Sequence, residues 1–153
     1  MKRMLVAAVV ALAAAAPAGA ALSTTTHTAR GSGTVLVNGT TGASASFSLD
    51  FSKGKGHKVV FVSRKSGIAF HSQGLTSLRF TSTAVKISGW GIANGRRVHF
   101  VAIATQNPSP LGDWFKISWG GGPSYGGRLT TGSIDIATLS MGGSGGVSAP
   151  SAA

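Results

Sequence analysis

The segment Thr83–Thr105 constrains the fold more than any other, because it predicts a β-hairpin closed by Asn94-Gly95. Asn-Gly between alternating apolar residues is the strongest short-range hairpin signal, since a type I′ turn needs positive φ at both central positions. A turn there gives the two strands one uncharged, mostly apolar face. The residues on that face are Val85, Ile87, Gly89 and Gly91, opposite Ala104, Ala102, Phe100 and Val98.

The rest of the chain has the pattern of short strands separated by turn signals. Ser44–Phe51 alternates strictly between polar or small residues and apolar ones, which is typical of a half-buried strand. We expect the fold to begin within Gly31–Val37, and further strands are predicted at Lys58–Ser63, Ile68–His71, Leu75–Phe80, Asp113–Trp119 and Leu129–Leu139. The pattern predicts an all-β protein of about eight or nine short strands, either an antiparallel β-sandwich or a flattened β-barrel.

The first twenty residues have the three parts of a secretory signal peptide. Met1-Lys2-Arg3 is basic, Met4–Ala16 is apolar, and Ala18-Gly19-Ala20 matches the A-x-A cleavage pattern. The apolar run is short for a membrane span of ~20 residues, and no later stretch approaches that length. We therefore expect a secreted or extracellular protein with a signal peptide over 1–20, a flexible leader over 21–30, an all-β domain over 31–140 and a Gly/Ser/Ala-rich disordered tail over 141–153.

The composition excludes thiol chemistry and favours anionic partners. The chain has no Cys, so its domain must be held together by a packed core rather than by disulfides. Fourteen Lys and Arg residues stand against three Asp. Loss of Lys2 and Arg3 with the signal peptide leaves twelve basic residues and a net charge of +9. Such a field attracts polyanions and membrane surfaces.

Several basic residues lie together in predicted loops and turns. They suggest a patch for an anionic cell-wall polymer or polysaccharide, rather than for a specific nucleic acid. The alternative is that these loops are ordinary solvated segments, because charge runs commonly mark exposed faces. The candidate polyanion-binding residues are Lys53, Lys55, Lys58, Arg64, Lys65, Arg96 and Arg97.

Three aromatic residues are candidates for stacking on a carbohydrate. Trp90 and Trp114 lie on the more polar faces of their predicted strands, and Tyr125 lies in a glycine-rich loop. The alternative is that they form a second packed layer, because Trp is usually largely buried.

The residues needed for the common hydrolytic mechanisms are scarce. Glycosidases usually need two carboxyl groups beside the scissile bond, and this chain has only Asp50, Asp113 and Asp135. Alternation places Asp50 and Asp135 on outer strand faces, and Asp113 follows a glycine in a turn that it is expected to fix. The four His residues lack H-x-x-x-H spacing, and no G-x-S-x-G motif occurs. We expect no enzyme activity, no catalytic residues, no metal and no cofactor.

The order of the motifs resembles that of a known family. The motifs are the alternating strand Ala45–Phe51, then Gly56-His57, Leu75-Thr76-Ser77-Leu78, Ala84–Gly91 before Asn94-Gly95, Gly112-Asp113-x-Phe115-x-Ile117 and Tyr125-Gly126-Gly127-x-Leu129-x-x-Gly132-x-Ile134-x-Ile136. This order resembles the post-choice-of-anchor domain of secreted bacterial surface proteins. The resemblance implies an all-β extracellular module with no assigned activity. The chain departs from the family pattern near Thr105 and Gln106, where the family tends to carry an acidic residue.

Together these features predict a secreted, non-catalytic β-module at the bacterial envelope or outside the cell. We expect it to work by binding or adhesion, with anionic polymers as one class of partner. The alternatives are a carbohydrate-binding or carbohydrate-active protein, or a purely structural surface spacer.

The signal-peptide prediction can be tested on secreted material. Cleavage after Ala20 should give a mature chain that begins Ala21-Leu22-Ser23, because the A-x-A pattern places the cut there. Intact-mass measurement of the secreted protein identifies the new terminus. A secreted chain that keeps Lys2 and Arg3 would disprove the assignment.

Overall fold

The protein is a closed antiparallel β-barrel in which each strand pairs with the next along the chain and the last pairs with the first. The computed structural model describes residues 24–37, 42–52 and 56–141. Of the two architectures that the sequence allowed, the structure shows the barrel. Its eight strands are β1 (Thr24–Leu36), β2 (Ser44–Phe51), β3 (Lys58–Ser63), β4 (Ile68–Phe80), β5 (Ala84–Ala93), β6 (Arg96–Thr105), β7 (Trp114–Trp119) and β8 (Ser124–Met141).

Some predictions fall on residues that the structure does not describe. The signal peptide over 1–20, Lys53 and Lys55 lie outside the described ranges, as does the tail beyond Met141. Among the described residues, no helix is long and apolar enough to cross a membrane.

The hairpin predicted from Asn94-Gly95 is confirmed. Asn94 has φ of 48° and Gly95 has φ of 78°, as a type I′ turn requires. The pairs that the turn implies all occur, from Gly91 opposite Val98 to Val85 opposite Ala104. Asn94 also fixes the turn to β4, because its side-chain oxygen accepts a hydrogen bond from the Ala69 N–H at 2.7 Å and its own N–H donates to the Ala69 carbonyl at 2.8 Å.

Phenylalanine side chains occupy the interior of the barrel. The rings of Phe47 and Phe115 stack with centroids 4.2 Å apart, and those of Phe70 and Phe100 meet edge to face at 5.0 Å. The alternation predicted for β2 is confirmed, because its apolar residues are buried and the serines between them are exposed. Each fully buried ring of this size contributes about 1.5–3 kcal/mol through the hydrophobic effect.

Three boundary predictions are wrong. Strand β1 begins at Thr24, so residues 24–30 belong to the barrel and not to a flexible leader. The two strands predicted within residues 68–80 are one strand, β4, which contains two register shifts. Strand β8 begins at Ser124 and ends at Met141, beyond both predicted limits. In each case pairing with a neighbouring strand specifies the extra residues, whereas their own side chains are mostly small or polar.

Replacing Gly95 by Val should destabilise the barrel by about 1–3 kcal/mol, because a β-branched residue is strained at positive φ. An added Cβ at Gly95 would meet nothing within 4 Å, so crowding cannot account for the loss. Gly74→Val is the matched control, since Gly74 also faces open space but lacks a left-handed φ. Urea unfolding of both variants measures the difference. Equal stability of the two would contradict the assigned turn.

Candidate functional site

The basic residues that the sequence analysis grouped together lie at opposite ends of the barrel. The tip end carries the turns after β1, β3, β5 and β7, and the terminus end carries the other turns together with Thr24 and Met141. Arg64, Lys65, Arg96 and Arg97 lie at or beside the turns of the tip end, whereas Lys58 begins β3 at the terminus end. Six residues of strand separate Lys58 from Arg64, which is about 20 Å at ~3.3 Å per residue. The described members of the predicted group therefore do not form one patch.

A row of basic residues instead crosses the outer face of β4–β7. Arg79 lies opposite Lys86, Lys86 opposite Ile103, and Ile103 opposite Lys116. All four side chains are exposed. Neighbouring strands are about 4.8 Å apart, so three cations fall within about 15 Å across the sheet. We call these four residues, the three cations and Ile103 between them, the basic wall.

Two of the three carboxylates of the chain lie on the other side of the barrel from the basic wall. Asp50 and Asp135 both lie opposite Arg30 in the pairing of β1 with its two neighbours. The Arg30 Nε lies 3.5 Å from an Asp50 carboxylate oxygen, which is the only ion pair among the described residues. Asp113 is the third and last acidic residue and lies in the loop before β7. No acidic residue therefore lies on β4–β7 to balance Arg79, Lys86 and Lys116.

A groove beside Trp114 continues the basic wall toward β8. Trp114 is 47% exposed and lies opposite Arg128, while Lys116 follows it on the same face of β7. The groove has a volume of about 390 Å³ and its lining is mostly apolar. The residues that line this Trp114 groove include Leu36, Trp114, Lys116, Gly127, Arg128 and Leu129.

The loop between β6 and β7 fixes the position of Trp114. One Asp113 carboxylate oxygen accepts a hydrogen bond from the Asn107 N–H at 2.9 Å, and the other accepts from the Ile134 N–H at 2.7 Å. The Asn107 amide donates to the Gly112 carbonyl at 2.9 Å, and the Arg128 guanidinium donates to the Pro110 carbonyl at 2.6 Å. The turn-fixing role predicted for Asp113 is confirmed. The residue directly before Trp114 is thus tied to both the loop and β8.

Gln106, in the same loop, has a related role. Its side-chain oxygen accepts a hydrogen bond from the Ile136 N–H at 2.9 Å. Ile134 and Ile136 lie on β8 beyond the segment that pairs with β7. Gln106 and Asp113 therefore satisfy N–H groups along an edge that β7 does not reach, and a neutral acceptor is sufficient at position 106.

The three predicted stacking residues do not form one platform. Trp90 is 41% exposed and lies beneath the Arg97 guanidinium, whose central carbon is 5.2 Å from the ring centroid. Trp90 pairs with His99 and Trp114 with Thr105, so six residues of β6, about 20 Å, separate the two indoles. Tyr125 is half-buried, and its ring packs against Trp119 at 4.8 Å. Tyr125 thus belongs to the packing at the tip end, whereas stacking by Trp90 or Trp114 stays a prediction.

Sequence reasoning missed four basic residues of this surface. Arg79, Lys86, Lys116 and Arg128 are isolated in the sequence, each between uncharged neighbours. Single basic residues on alternating strands are typical of any solvated sheet face. Only the register between strands brings them together, and the pairing of Lys86 with Ile103 was the one part that the predicted hairpin already implied.

The described residues contain no candidate metal site, and the comparisons with known proteins find no relative. Within residues 24–37, 42–52 and 56–141, no three His, Cys, Asp or Glu side chains come close enough to hold a metal ion. Comparison with protein-family models, with curated proteins and with solved structures finds no match to the chain. The resemblance to the post-choice-of-anchor domain stays a prediction.

Replacing Asp113 by Ala should lower the free energy of unfolding by about 1–3 kcal/mol, because it leaves the Ile134 and Asn107 N–H groups without their acceptor. Asp135→Ala removes the same charge from an exposed position and should change it by about 0.5 kcal/mol or less. Urea unfolding compares the two variants. Similar losses would show that Asp113 does not secure the loop.

Proposed function

We propose that this protein is a secreted, non-catalytic binding module that holds an anionic polymer against the basic wall. The observation that supports the proposal is the row of Arg79, Lys86 and Lys116 across β4–β7, four strands that contain no acidic residue. A polymer lying across the strands would contact all three cations at once. Its bound counterions would be released, which favours binding and makes it dependent on salt.

The electrostatic repulsion within the basic wall favours a binding role over the role of a structural spacer. Like charges directly opposite each other on neighbouring strands are destabilising, and Arg79 lies directly opposite Lys86. A spacer needs only a soluble surface, which mixed charges would provide without the repulsion. A bound polyanion would relieve the repulsion between these two side chains.

The position of the carboxylates supports a binding module over a hydrolase. The two outward-facing carboxylates, Asp50 and Asp135, flank Arg30 in a shallow depression on the other side of the barrel. A substrate bond placed between them would have to displace the Arg30 side chain. The third carboxylate, Asp113, accepts hydrogen bonds from two backbone N–H groups that hold the loop.

The test compares two triple variants with the same change in charge. The wall variant carries Arg79→Gln, Lys86→Gln and Lys116→Gln. The control variant carries Lys58→Gln, Arg64→Gln and Lys65→Gln, which removes one Arg and two Lys from exposed positions at the two ends. The probe is long-chain polyphosphate, and the dissociation constant is measured over a range of salt concentrations.

The wall variant should bind polyphosphate more weakly than the control, with a slope of log K against log salt that is shallower by about two. That value follows from losing three contacts at about 0.7–0.9 each. Equal losses in the two variants would indicate a diffuse positive field instead of a wall. Absence of binding by the native chain at low salt would disprove the proposal.

A further inference from the structure

We infer that the Trp114 groove binds one acidic sugar unit of an anionic polysaccharide, with the sugar ring against the indole and its carboxylate between Lys116 and Arg128. This inference rests on the proposed function, because the groove is continuous with the basic wall through Lys116. It names the chemical class of the polymer, which the wall alone does not.

The two cations flank the exposed indole. Lys116 lies two residues along β7 from Trp114 on the same outer face, about 7 Å away, and Arg128 lies directly opposite Trp114 on β8. The Arg128 guanidinium is held by its hydrogen bond to the Pro110 carbonyl, and a guanidinium has five N–H donors in all. A carboxylate beside the indole would therefore meet one oriented guanidinium and one ammonium group.

The glycine at position 127 lines the groove without covering the indole. Its neighbour Gly126 has a backbone reason to be glycine, since its φ is 103° and an added Cβ would collide with the Phe115 carbonyl. Gly127 has neither a left-handed φ nor a collision. An added Cβ there would meet only Cζ3 of Trp114, at 3.9 Å. Gly127 is itself buried, and the absence of a side chain there leaves the Cζ3 edge of the Trp114 ring uncovered.

The charges and the spacing of the aromatics favour an acidic polysaccharide over other occupants. Every acidic residue of the chain lies at 50, 113 or 135, so neither terminal segment supplies a carboxylate side chain to the groove. Proteins that bind single-stranded nucleic acid stack successive bases on closely spaced aromatics. Here the other exposed indole, Trp90 on β5, is about 20 Å away along the strands. One ring with charge on both sides suits a polymer of acidic sugars.

The main experiment uses the full chain and two anionic probes. Oligogalacturonate has rings and carboxylates, whereas polyphosphate has charge without rings. Trp114→Ala should weaken binding of oligogalacturonate about tenfold or more, the size expected from loss of one stacking contact. Binding of polyphosphate should stay within about twofold, because the cations are unchanged. Trp90→Ala is the matched comparison, since Trp90 is similarly exposed, and it should weaken oligogalacturonate binding much less than Trp114→Ala does.

A second measurement does not depend on how a variant folds. The native chain has three Trp residues and hence three indole N–H signals in a nitrogen–proton correlation spectrum. Oligogalacturonate should shift the Trp114 signal more than the other two, and polyphosphate or neutral maltohexaose should not.

A third variant, Gly127→Val, changes no charge and no aromatic residue. It should reduce binding of oligogalacturonate and leave binding of polyphosphate unchanged.

Several results would overturn the inference. Unchanged oligogalacturonate binding by Trp114→Ala, or equal loss of both anionic probes, would show that the indole does not recognise a ring. If maltohexaose binds as tightly as oligogalacturonate, the carboxylate of the sugar is not needed for recognition. If oligothymidylate shifts the Trp114 signal more than oligogalacturonate does, the groove binds nucleic acid instead. All of these results leave the proposed function intact if polyphosphate still binds the wall, whereas loss of polyphosphate binding by the native chain disproves the proposed function itself.

Discussion

The pairing of β1 with β8 is the constraint on which the rest of the structure depends. It joins the first and last strands through twelve residue pairs, from Thr24 opposite Met141 to Val35 opposite Leu129. Without it the sheet would have two long edges with unpaired backbone groups, and the phenylalanine core would be open on one side. The pairing also demands close approach, because an added Cβ at Gly132 would collide with the Ser32 carbonyl. With no disulfide in the chain, this pairing is what closes the barrel.

Closure also decides where a ligand can be recognised. Since aromatic rings occupy the interior, recognition has to use the outer surface, where the charge is unevenly distributed. The outward-facing carboxylates lie beside Arg30 on the β8–β1–β2 side, and the only charged residues on strands β4–β7 are basic. The barrel thus has one group of strands with charges of both signs and another group with positive charges only. That polarity comes from which strand each residue occupies and does not depend on any loop conformation.

The sequence predicted those parts of the structure that are specified by neighbours in the chain. Asn94-Gly95 determines its own turn, and the alternation in β2 determines which face is buried. The basic wall was not predictable, because it depends on two register shifts in β4. If the register at Ser72 and Gly91 continued unshifted, Arg79 would lie opposite Ala84 instead of Lys86. The first half of β1 was missed for a similar reason, since its threonines show no apolar alternation and are ordered by pairing with β8.

The proximity of Thr24 to Met141 has a consequence for how the chain can be rearranged. Residues directly opposite each other in an antiparallel pair have Cα atoms about 5 Å apart, so a short linker could join these two positions. Every strand already pairs with its neighbour in sequence, so the joined chain would form an uninterrupted ring. Such a ring could be opened at an exposed turn, such as Arg64–Gly67, without separating any pair of strands. Chains opened at different turns of this ring would therefore have different first strands and the same set of strand pairs.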